Sequence, residues 1–311
     1  MQKTAVIVNP AAGAGRSGSR WAGRRSSLRE ALGAFEELRT ERPGHGAELA
    51  RTALESGAKR IISVGGDGTW HEVVAGYFSA PEAARAGAAL GCYPTGSGCD
   101  FARHLRYPRE EDALLSVLSG DKTRLIDLVR ATVTAEDGGT LSVPLTNMAA
   151  FGLGGDVARA VQRTGKRAGG TLSYLMTTVA LLLRSRAREY TLKLDGKPLP
   201  ERRLHTAILA NTSSTGGGML VAPDADATDG LFEVMTIGDV TRLRMLLAMR
   251  KLYSGRHLEE KGVSLYQGKR LEASLPTGSV EPSYLNLDGE ALGRLPAVFE
   301  ILPRIVPVLV P

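Results

Sequence analysis

The first third of the chain alternates short apolar runs with segments whose apolar residues recur at helical spacing. Three runs rich in valine, isoleucine and leucine are predicted strands: 4–9, 60–64 and 88–93. Three segments with a helical or helix-compatible pattern lie between or after them: 28–38, 69–78 and 102–118. Strands and helices that alternate in this way indicate a parallel sheet with crossover helices.

Beyond about residue 125 the pattern changes to short strands separated by turns. The predicted strands are 125–133, 140–146, 190–194, 204–211, 231–237 and 263–265. Asp195-Gly196 is a hairpin signal, and one helical stretch, 240–253, interrupts the series. We therefore predict a second, mostly antiparallel β domain from about residue 128.

The composition is typical of a soluble globular protein with two domains. The chain has 311 residues, of which 43% are hydrophobic and 23% charged, which argues against global disorder. Two cysteines are too few for a disulfide scaffold. The beginning of the sequence lacks the ordered basic, apolar and small-residue parts of a signal peptide, so a cytosolic protein is expected.

The charge adds information about partners. A formal net charge of +6 favours an anionic partner such as a nucleotide or an acidic lipid surface. Aromatic residues make up only 5% of the chain and are not interleaved with basic ones. That pattern differs from a single-strand-binding platform, so no nucleic-acid partner is expected.

The longest apolar stretch, 172–183, leads into Arg184, Arg186 and Arg188. It is too short to span a bilayer. A core-packed helix with a basic carboxyl end is the favoured interpretation. A helix that docks on a membrane surface is the alternative.

A glycine-rich turn at 65–69 contains the first candidate chemistry. A predicted strand runs into Gly65, Gly66, Asp67 and Gly68, and a predicted helix begins at Thr69. Glycines let the backbone approach a phosphate, and the N–H groups at a helix start attract an anion. An aspartate beside a phosphate implies a bridging cation. The alternative is a tight turn in which Asp67 caps the helix.

A second turn, 94–101, also follows a predicted strand and precedes a helix. Here Ser97, between Gly96 and Gly98, would hydrogen-bond phosphate or ribose, and Asp100 would cap the helix. A plain capped turn is again the alternative.

A third turn, 9–18, superficially resembles the dinucleotide-binding fingerprint through Gly13, Gly15 and Gly18. That fingerprint also requires an acid at the end of the next strand. The acids at about that separation, Glu36 and Glu37, fall in a predicted helix, so an NAD-dependent dehydrogenase is disfavoured.

Two acidic segments lie in the second domain. Asp288 and Glu290 are two positions apart, and on an extended backbone they would face the same side. One could then accept a proton from a hydroxyl while the other orients it or reaches a metal. Asp224, Asp226 and Asp229 suit a hard cation. Each segment could instead be an exposed turn or a plain loop.

Taken in order, these segments resemble the diacylglycerol kinase catalytic-domain family, and within it the bacterial soluble lipid kinases related to sphingosine and ceramide kinases. The matching residues are Asn9-Pro10 with Gly13 and Gly15, Thr40 with Gly44-His45, 65–69 with Glu72-Val73, Gly96-Ser97-Gly98 with Asp100-Phe101-Ala102, Ile126-Asp127-Leu128, Phe151-Gly152, Asp226 with Asp229-Gly230-Leu231, Leu287-Asp288-Gly289-Glu290, and the ending from Ile301 to Pro311. The glycine triad is shared with NAD kinases and phosphofructokinases, whereas the Asp-Gly-Leu and Asp-Gly-Glu motifs are more specific.

The resemblance implies an α/β plus mostly-β fold. Residues 1–127 with 296–311 would form a Rossmann-like α/β nucleotide-binding domain of the NAD kinase and phosphofructokinase type. Residues 128–295 would form a C-terminal β-sandwich domain for the lipid, with the nucleotide in the cleft between the domains.

The resemblance also implies a function. The chain would be an ATP-dependent kinase that transfers the γ-phosphoryl group to a hydroxyl of a membrane lipid such as diacylglycerol, ceramide or sphingosine. It would be cytoplasmic, bind transiently to an anionic surface at the inner membrane, and form a homodimer.

Carried over by position, the resemblance implies three sets of site residues. The ATP-binding set is Asn9, Thr40, Gly65, Gly66, Asp67, Gly68, Thr69, Gly96 and Ser97. The catalytic Mg²⁺ set is Asp67, Asp100 and Asp127, and the structural Mg²⁺ set is Asp226, Asp229 and Leu231. Glu290 would be the general base toward the lipid hydroxyl, with Asp288 beside it.

Two residues depart from the family pattern: His71 and Cys99 stand where asparagine is usual. An imidazole and a thiol do not reproduce the hydrogen bonds of an amide. A non-catalytic, membrane-associated nucleotide sensor is therefore one alternative function. An NAD kinase-like enzyme, which would share the glycine triad, is the other.

Overall fold

A computed structural model of the chain describes residues 3–13, 15–96, 98–164 and 171–311. The chain divides into two compact units. The first is Met1–Ile126 with Arg304–Pro311, and the second is Asp127–Pro303.

The first unit is built on a parallel sheet with helices in the crossovers. Its strands are β1 (Thr4–Val8), β2 (Glu36–Arg39), β3 (Arg60–Gly65) and β4 (Ala89–Pro94). Its helices are α1 (Arg16–Leu32), α2 (His45–Glu55), α3 (Asp67–Ser79), α4 (Glu82–Arg85), α5 (Asp100–His104) and α6 (Glu111–Ser119). The strand order is β2-β1-β3-β4, with every neighbouring pair parallel. All residues of β1 and β3 are buried, because helices cover both faces of such a sheet.

The second unit is mostly antiparallel. The strands that lie in it or run into it are β5 (Thr123–Thr134), β6 (Thr140–Leu145), β7 (Met148–Gly152), β8 (Arg188–Glu189), β9 (Thr191–Leu194), β10 (Lys197–Pro198), β11 (Arg203–Ala210), β12 (Ser214–Thr215), β13 (Met219–Leu220), β14 (Phe232–Gly238), β15 (Val263–Gly268), β16 (Arg270–Ser274), β17 (Tyr284–Leu287) and β18 (Glu290–Leu309). The helices are α7 (Leu153–Thr164), α8 (Thr171–Arg184) and α9 (Arg242–Lys251), and two 3-10 turns follow at Leu252–Ser254 and Arg256–Glu259.

In this unit the main antiparallel path is β15-β14-β11-β7-β17-β18. One face covers a core that includes Phe151, Phe232 and Phe299. A separate buried cluster joins α7, α8 and α9 through Val157 and Leu182, among others. The end of β18 returns to the first unit, where it pairs in parallel with β4. None of the helices in the described ranges is both long and apolar enough to cross a membrane.

Two predicted helices were wrong in extent. The 28–38 segment is split, because α1 ends before Gly33, whose φ of 76° terminates it, and β2 follows. Glu37 of β2 pairs with Arg25 and Arg39, so this edge strand is charged and lacks the apolar run by which the other strands were predicted. The 102–118 segment is two helices, α5 and α6, since Arg106 has a φ of 57° and Pro108 follows shortly after.

Candidate functional site

The loops after β1 and β2 lie at the carboxyl edge of the parallel sheet, where ligands bind in open α/β sheets. Asn9 follows β1, and its backbone N–H donates to the Val64 carbonyl at 3.0 Å. The Asn9 side-chain Nδ2 donates to Oγ1 of Thr69 at 3.1 Å. Thr40 follows β2, and its N–H donates to the Val8 carbonyl at 2.9 Å. The fold therefore brings Asn9 and Thr40 to the same edge as the glycine turn.

The loops after β3 and β4 are in direct contact through glycine. The N–H groups of Thr95 and Gly96 donate to the Gly65 carbonyl at 2.8 and 3.1 Å. A Cβ on Gly65 would lie 2.2 Å from Oγ1 of Thr69, and a Cβ on Gly96 would lie 2.6 Å from Cα of Gly66. Neither distance is tolerable, so only glycine fits at these two positions.

The two acids of these loops hold α5. Asp67 is the first residue of α3, and its Oδ1 accepts the N–H of Phe101 at 3.1 Å. Asp100 is buried at the start of α5, and Arg103 binds its carboxylate. Burial, and then the negative charge of Asp67, raise the pKa of the Cys99 thiol to about 12. At neutral pH Cys99 is therefore an uncharged group beside two acids.

His71 and Glu72 of α3 follow the glycine turn, and neither side chain is fully exposed. His71 is buried. The Glu72 carboxylate accepts the N–H groups of Gly44 and Gly46 at 2.9 and 2.8 Å, so it caps the start of α2 and holds the loop after β2. Ser97, which was also predicted to bind ATP, lies outside the described residues.

In the second unit, Asp288 anchors a distant backbone segment. Its Oδ2 accepts the N–H and the hydroxyl of Thr146 at 2.8 and 3.1 Å. Its Oδ1 accepts the N–H groups of Asn147 and Met148 at 3.0 and 2.7 Å. Its own N–H donates to the Met148 carbonyl at 2.9 Å.

The extended backbone assumed for 288–290 is absent. Asp288 and Gly289 have φ values of 47° and 92°, so they form a tight turn between β17 and β18. The expectation that Asp288 and Glu290 face the same side on an extended strand was therefore wrong. Glu290 is exposed at the first position of β18, opposite Leu287, and its carboxylate has no hydrogen bond or ion pair to the described residues.

Asp127 joins the acidic loop between β13 and β14. Asp127 is fully buried, and its Oδ2 accepts the N–H of Gly230 at 2.7 Å. Asp226 accepts the N–H and the hydroxyl of the residue two positions on, at 3.0 and 2.7 Å. Asp229 accepts the N–H of Leu231 at 2.8 Å. Asp127 therefore contacts the loop that contains Asp226 and Asp229.

Asn211, which belongs to none of the sequence motifs, connects two segments of the second unit. Its Nδ2 donates to the carbonyls of Asp127 and Thr146 at 3.1 and 3.0 Å, and thereby links the acidic loop to the segment that Asp288 holds. These partners lie 84 and 65 positions away along the chain, so no local pattern marks this residue.

The acidic loop contains carboxylates, the ligand type that Mg²⁺ prefers, but they do not converge on one point in the described residues. Burial, followed by the negative charges of Asp229 and Asp224, raises the pKa of the Glu233 carboxyl to about 7. Neighbouring carboxylates that disfavour one another's charge are the oxygen ligands that a hard cation stabilises. Among the residues described, no three acidic, histidine or cysteine side chains converge closely enough to form a metal site.

An apolar cavity of about 160 Å³ lies in the second unit. Its walls come from β7, β11 and β14 on one side and from α7, α8 and α9 on the other. Five methionines line it: Met148, Met219, Met235, Met245 and Met249. Across the described part of the chain, no Asp, Glu, Lys or Arg lines it. Asn286 also lines it, and its Oδ1 accepts the N–H of Gly289 in the turn before Glu290.

Both parts of the chain match known families. Residues 3–131 match the sequence model of the diacylglycerol kinase catalytic domain, and residues 147–310 match that of the YegS C-terminal NAD kinase beta sandwich-like domain. The chain belongs to the diacylglycerol kinase catalytic-domain family. The predicted family is confirmed, and membership makes the chain an ATP-using lipid kinase, a phosphotransferase with an alcohol acceptor.

Curated relatives cover most of the chain. A diacylglycerol kinase of Bacillus subtilis is 27% identical over 318 residues, which span 100% of this chain and 97% of the relative. A YegS-like lipid kinase of Chromohalobacter salexigens is 33% identical over 227 residues, or 70% of this chain and 68% of the relative.

Solved structures share the fold. A diacylglycerol kinase from Bacillus anthracis has a TM-score of 0.70 at 16% identity, covering 100% of this chain and 97% of that one. A yeast NADH kinase in complex with NADH has a TM-score of 0.52 at 10% identity, covering 100% and 84%. The predicted fold class, an NAD kinase-like α/β domain followed by a mostly-β domain, is confirmed.

Proposed function

We propose that this family member transfers the γ-phosphoryl group of ATP to a hydroxyl of diacylglycerol or of a sphingolipid such as ceramide or sphingosine. The observation that carries the acceptor class is the apolar cavity of the second unit, which has no charged lining side chain among the described residues. Such a cavity suits an acyl chain, because burying hydrocarbon is favourable and burying an unpaired charge is costly. It offers no charged partner for a dinucleotide acceptor.

ATP binds at the carboxyl edge of the sheet in the first unit. The glycine contacts at Gly65 and Gly96 keep this backbone free of side chains, and the first N–H groups of α3 have no partner within the helix. These groups attract the phosphates. Asn9 and Thr40 border the same edge and would hydrogen-bond the nucleotide, as would Ser97.

Mg²⁺ is part of the proposal. When bound, it neutralises phosphate charge and orients the γ-phosphoryl group. Asp67, Asp100 and Asp127 are the proposed residues of the catalytic ion. Asp226, Asp229 and Leu231 are those of the structural ion, because the carboxylate and carbonyl oxygens of this loop are the ligands that a hard cation prefers.

Glu290 is the proposed general base. Its carboxylate accepts the hydroxyl proton, the acceptor oxygen forms a bond to the γ-phosphorus, and the bond from that phosphorus to the bridging oxygen breaks, releasing ADP. This carboxylate is exposed and forms no ion pair with a described residue, so a hydroxyl can approach it. Asp288 supports it indirectly, since it orients the turn from which Glu290 begins.

The two predicted domains would divide these tasks: residues 1–127 with 296–311 bind the nucleotide, and residues 128–295 bind the lipid. The enzyme acts from the cytoplasm as a peripheral protein at the inner membrane surface. A homodimer is expected, and sedimentation velocity measures it.

Phosphoryl transfer from labelled ATP tests the proposal, with dispersed diacylglycerol, ceramide, sphingosine and NAD as separate acceptors. We expect a labelled lipid and no labelled NAD. Glu290→Gln should lower the rate at least about 100-fold while ATP binding persists. Glu281→Gln, a change at another exposed acid of this unit, should behave like the unaltered protein. Labelled NAD alone would support an NAD kinase, and ATP binding without any product would support a nucleotide sensor.

A further inference from the structure

Exposed apolar residues are concentrated on the helices that wall the cavity. Met176 and Leu183 of α8 are 66% and 51% exposed, and Leu243 and Leu247 of α9 are 66% and 55% exposed. The two residues on α8 are seven positions apart and those on α9 four apart, so each pair lies on one face of its helix. Large apolar side chains exposed together in this way mark an interaction surface.

The same helices are basic. Within α8 and α9, Thr171–Arg184 and Arg242–Lys251, five residues are Arg or Lys and none is Asp or Glu. Four exposed arginines form no ion pair with any described residue: Arg184, Arg186, Arg244 and Arg250. We call the exposed faces of α8 and α9, with these arginines, the basic-apolar face.

We propose that the basic-apolar face binds an anionic lipid bilayer, with Leu243 and Leu247 inserted among the headgroups and the arginines paired with lipid phosphates. The proposal rests on the proposed function, because docking on a bilayer would bring the enzyme to a substrate that is itself a membrane lipid. Apolar side chains flanked by cations are the pattern by which helices lie at an anionic membrane surface.

The position of the cavity favours a bilayer over another partner. The opposite faces of the same two helices line the apolar cavity, through Leu182 of α8 and Met245 and Met249 of α9. A bilayer held against the outer face would therefore lie one helix away from the proposed acyl site. Two copies of this chain joined by this face would bring arginines against arginines, since a two-fold interface pairs a surface with itself.

Vesicle co-sedimentation tests the proposal. The probe is phosphatidylcholine vesicles with or without phosphatidylglycerol, all lacking diacylglycerol, so that binding does not depend on turnover. We expect binding to the anionic vesicles that weakens in high salt. Leu243→Gln/Leu247→Gln and Arg244→Gln/Arg250→Gln should each lower the affinity about tenfold or more. Val280→Gln, at an apolar residue that is 95% exposed elsewhere in the unit, and Lys197→Gln are the matched controls and should not.

Activity on a short-chain diacylglycerol below its micelle concentration separates this inference from the proposed function. We expect the face variants to keep full activity on that monomeric substrate and to lose activity on vesicles. Vesicle binding by a protein that phosphorylates no lipid would overturn the proposed function and leave the docking face standing. Unchanged vesicle binding by both face variants would overturn the docking face. So would a dimer that these variants dissociate without a change in vesicle binding.

Discussion

Replacing Asp288 by asparagine tests whether its carboxylate anchors the 146–148 segment. Asparagine has nearly the same volume and tolerates the φ of 47° at this position, so the variant removes little besides the charge and one acceptor oxygen. Each carboxylate oxygen now accepts two hydrogen bonds. In asparagine an NH₂ group replaces one of these oxygens. That group donates rather than accepts, so it would face two N–H or O–H donors of the 146–148 segment without forming a hydrogen bond to either.

The magnitude follows from the number of bonds. A hydrogen bond to a charged group contributes about 1.5–3 kcal/mol. Asparagine loses two of them and weakens the other two. Because Asp288 is half-buried and neighbouring terms are not additive, we take the low end and expect a loss of about 3 kcal/mol in the free energy of unfolding. Urea unfolding followed by circular dichroism measures this as a lower midpoint with an unchanged slope.

Glu290→Gln is the matched control, two positions along in the same turn region. It should change the free energy of unfolding by no more than about 0.5 kcal/mol, since its side chain is exposed. If Asp288→Asn costs less than about 1 kcal/mol and still abolishes phosphoryl transfer, the anchoring role is refuted and Asp288 acts in the chemistry itself.

Three further perturbations have defined outcomes. Gly65→Ala should weaken ATP binding and destabilise the first unit, because its Cβ would lie 2.2 Å from Oγ1 of Thr69. Gly23→Ala, at an exposed position of α1 where a Cβ meets nothing within 4 Å, should have little effect, and calorimetric ATP titration compares the two variants. Cys99, whose pKa is raised to about 12, should react with iodoacetamide far more slowly at pH 8 in the folded protein than after unfolding, as mass spectrometry would record. Equal rates would contradict a neutral, half-buried thiol at this position. The pKa of Glu233 is raised from 4.5 to about 7 in the folded protein, so between these two pH values the folded state binds more protons than the unfolded state. The free energy of unfolding should therefore fall by up to about 3 kcal/mol as the pH rises from 4.5 to 7. Urea unfolding measured at several pH values should show this dependence in the unaltered protein and not in Glu233→Gln.

Much of the first unit could be predicted from local pattern. Buried parallel strands appear as continuous apolar runs, and β1, β3 and β4 lie close to the predicted 4–9, 60–64 and 88–93. The glycine turn could be located because it begins where such a run ends. The edge strand β2 was predicted as helix, because its charged residues pair with one another and conceal its period.

The acids of the second unit show the limit of sequence patterns. The spacing of Asp288 and Glu290 suggested a shared face, but a turn separates them and gives them different surroundings. Asp127 was assigned with Asp67 and Asp100 on family resemblance, and that assignment stays a prediction. Its hydrogen bond from the N–H of Gly230, 103 positions along the chain, could not be predicted from local pattern.

By itself, the sequence determined where backbone must come close to backbone. Gly65 and Gly96 have no alternative, because any side chain would strike an atom a few residues away or in the adjoining loop. Only the tertiary structure decided what the carboxylates do. Asp288 receives its hydrogen bonds from residues 140 to 142 positions away, and a carboxylate's role depends on which donors surround it rather than on its neighbours in sequence. Arg184 and Arg186 were likewise visible at the end of an apolar stretch, but the exposed positions of Leu243 and Leu247 on the outer face of α9 follow only from the way this helix packs over the cavity.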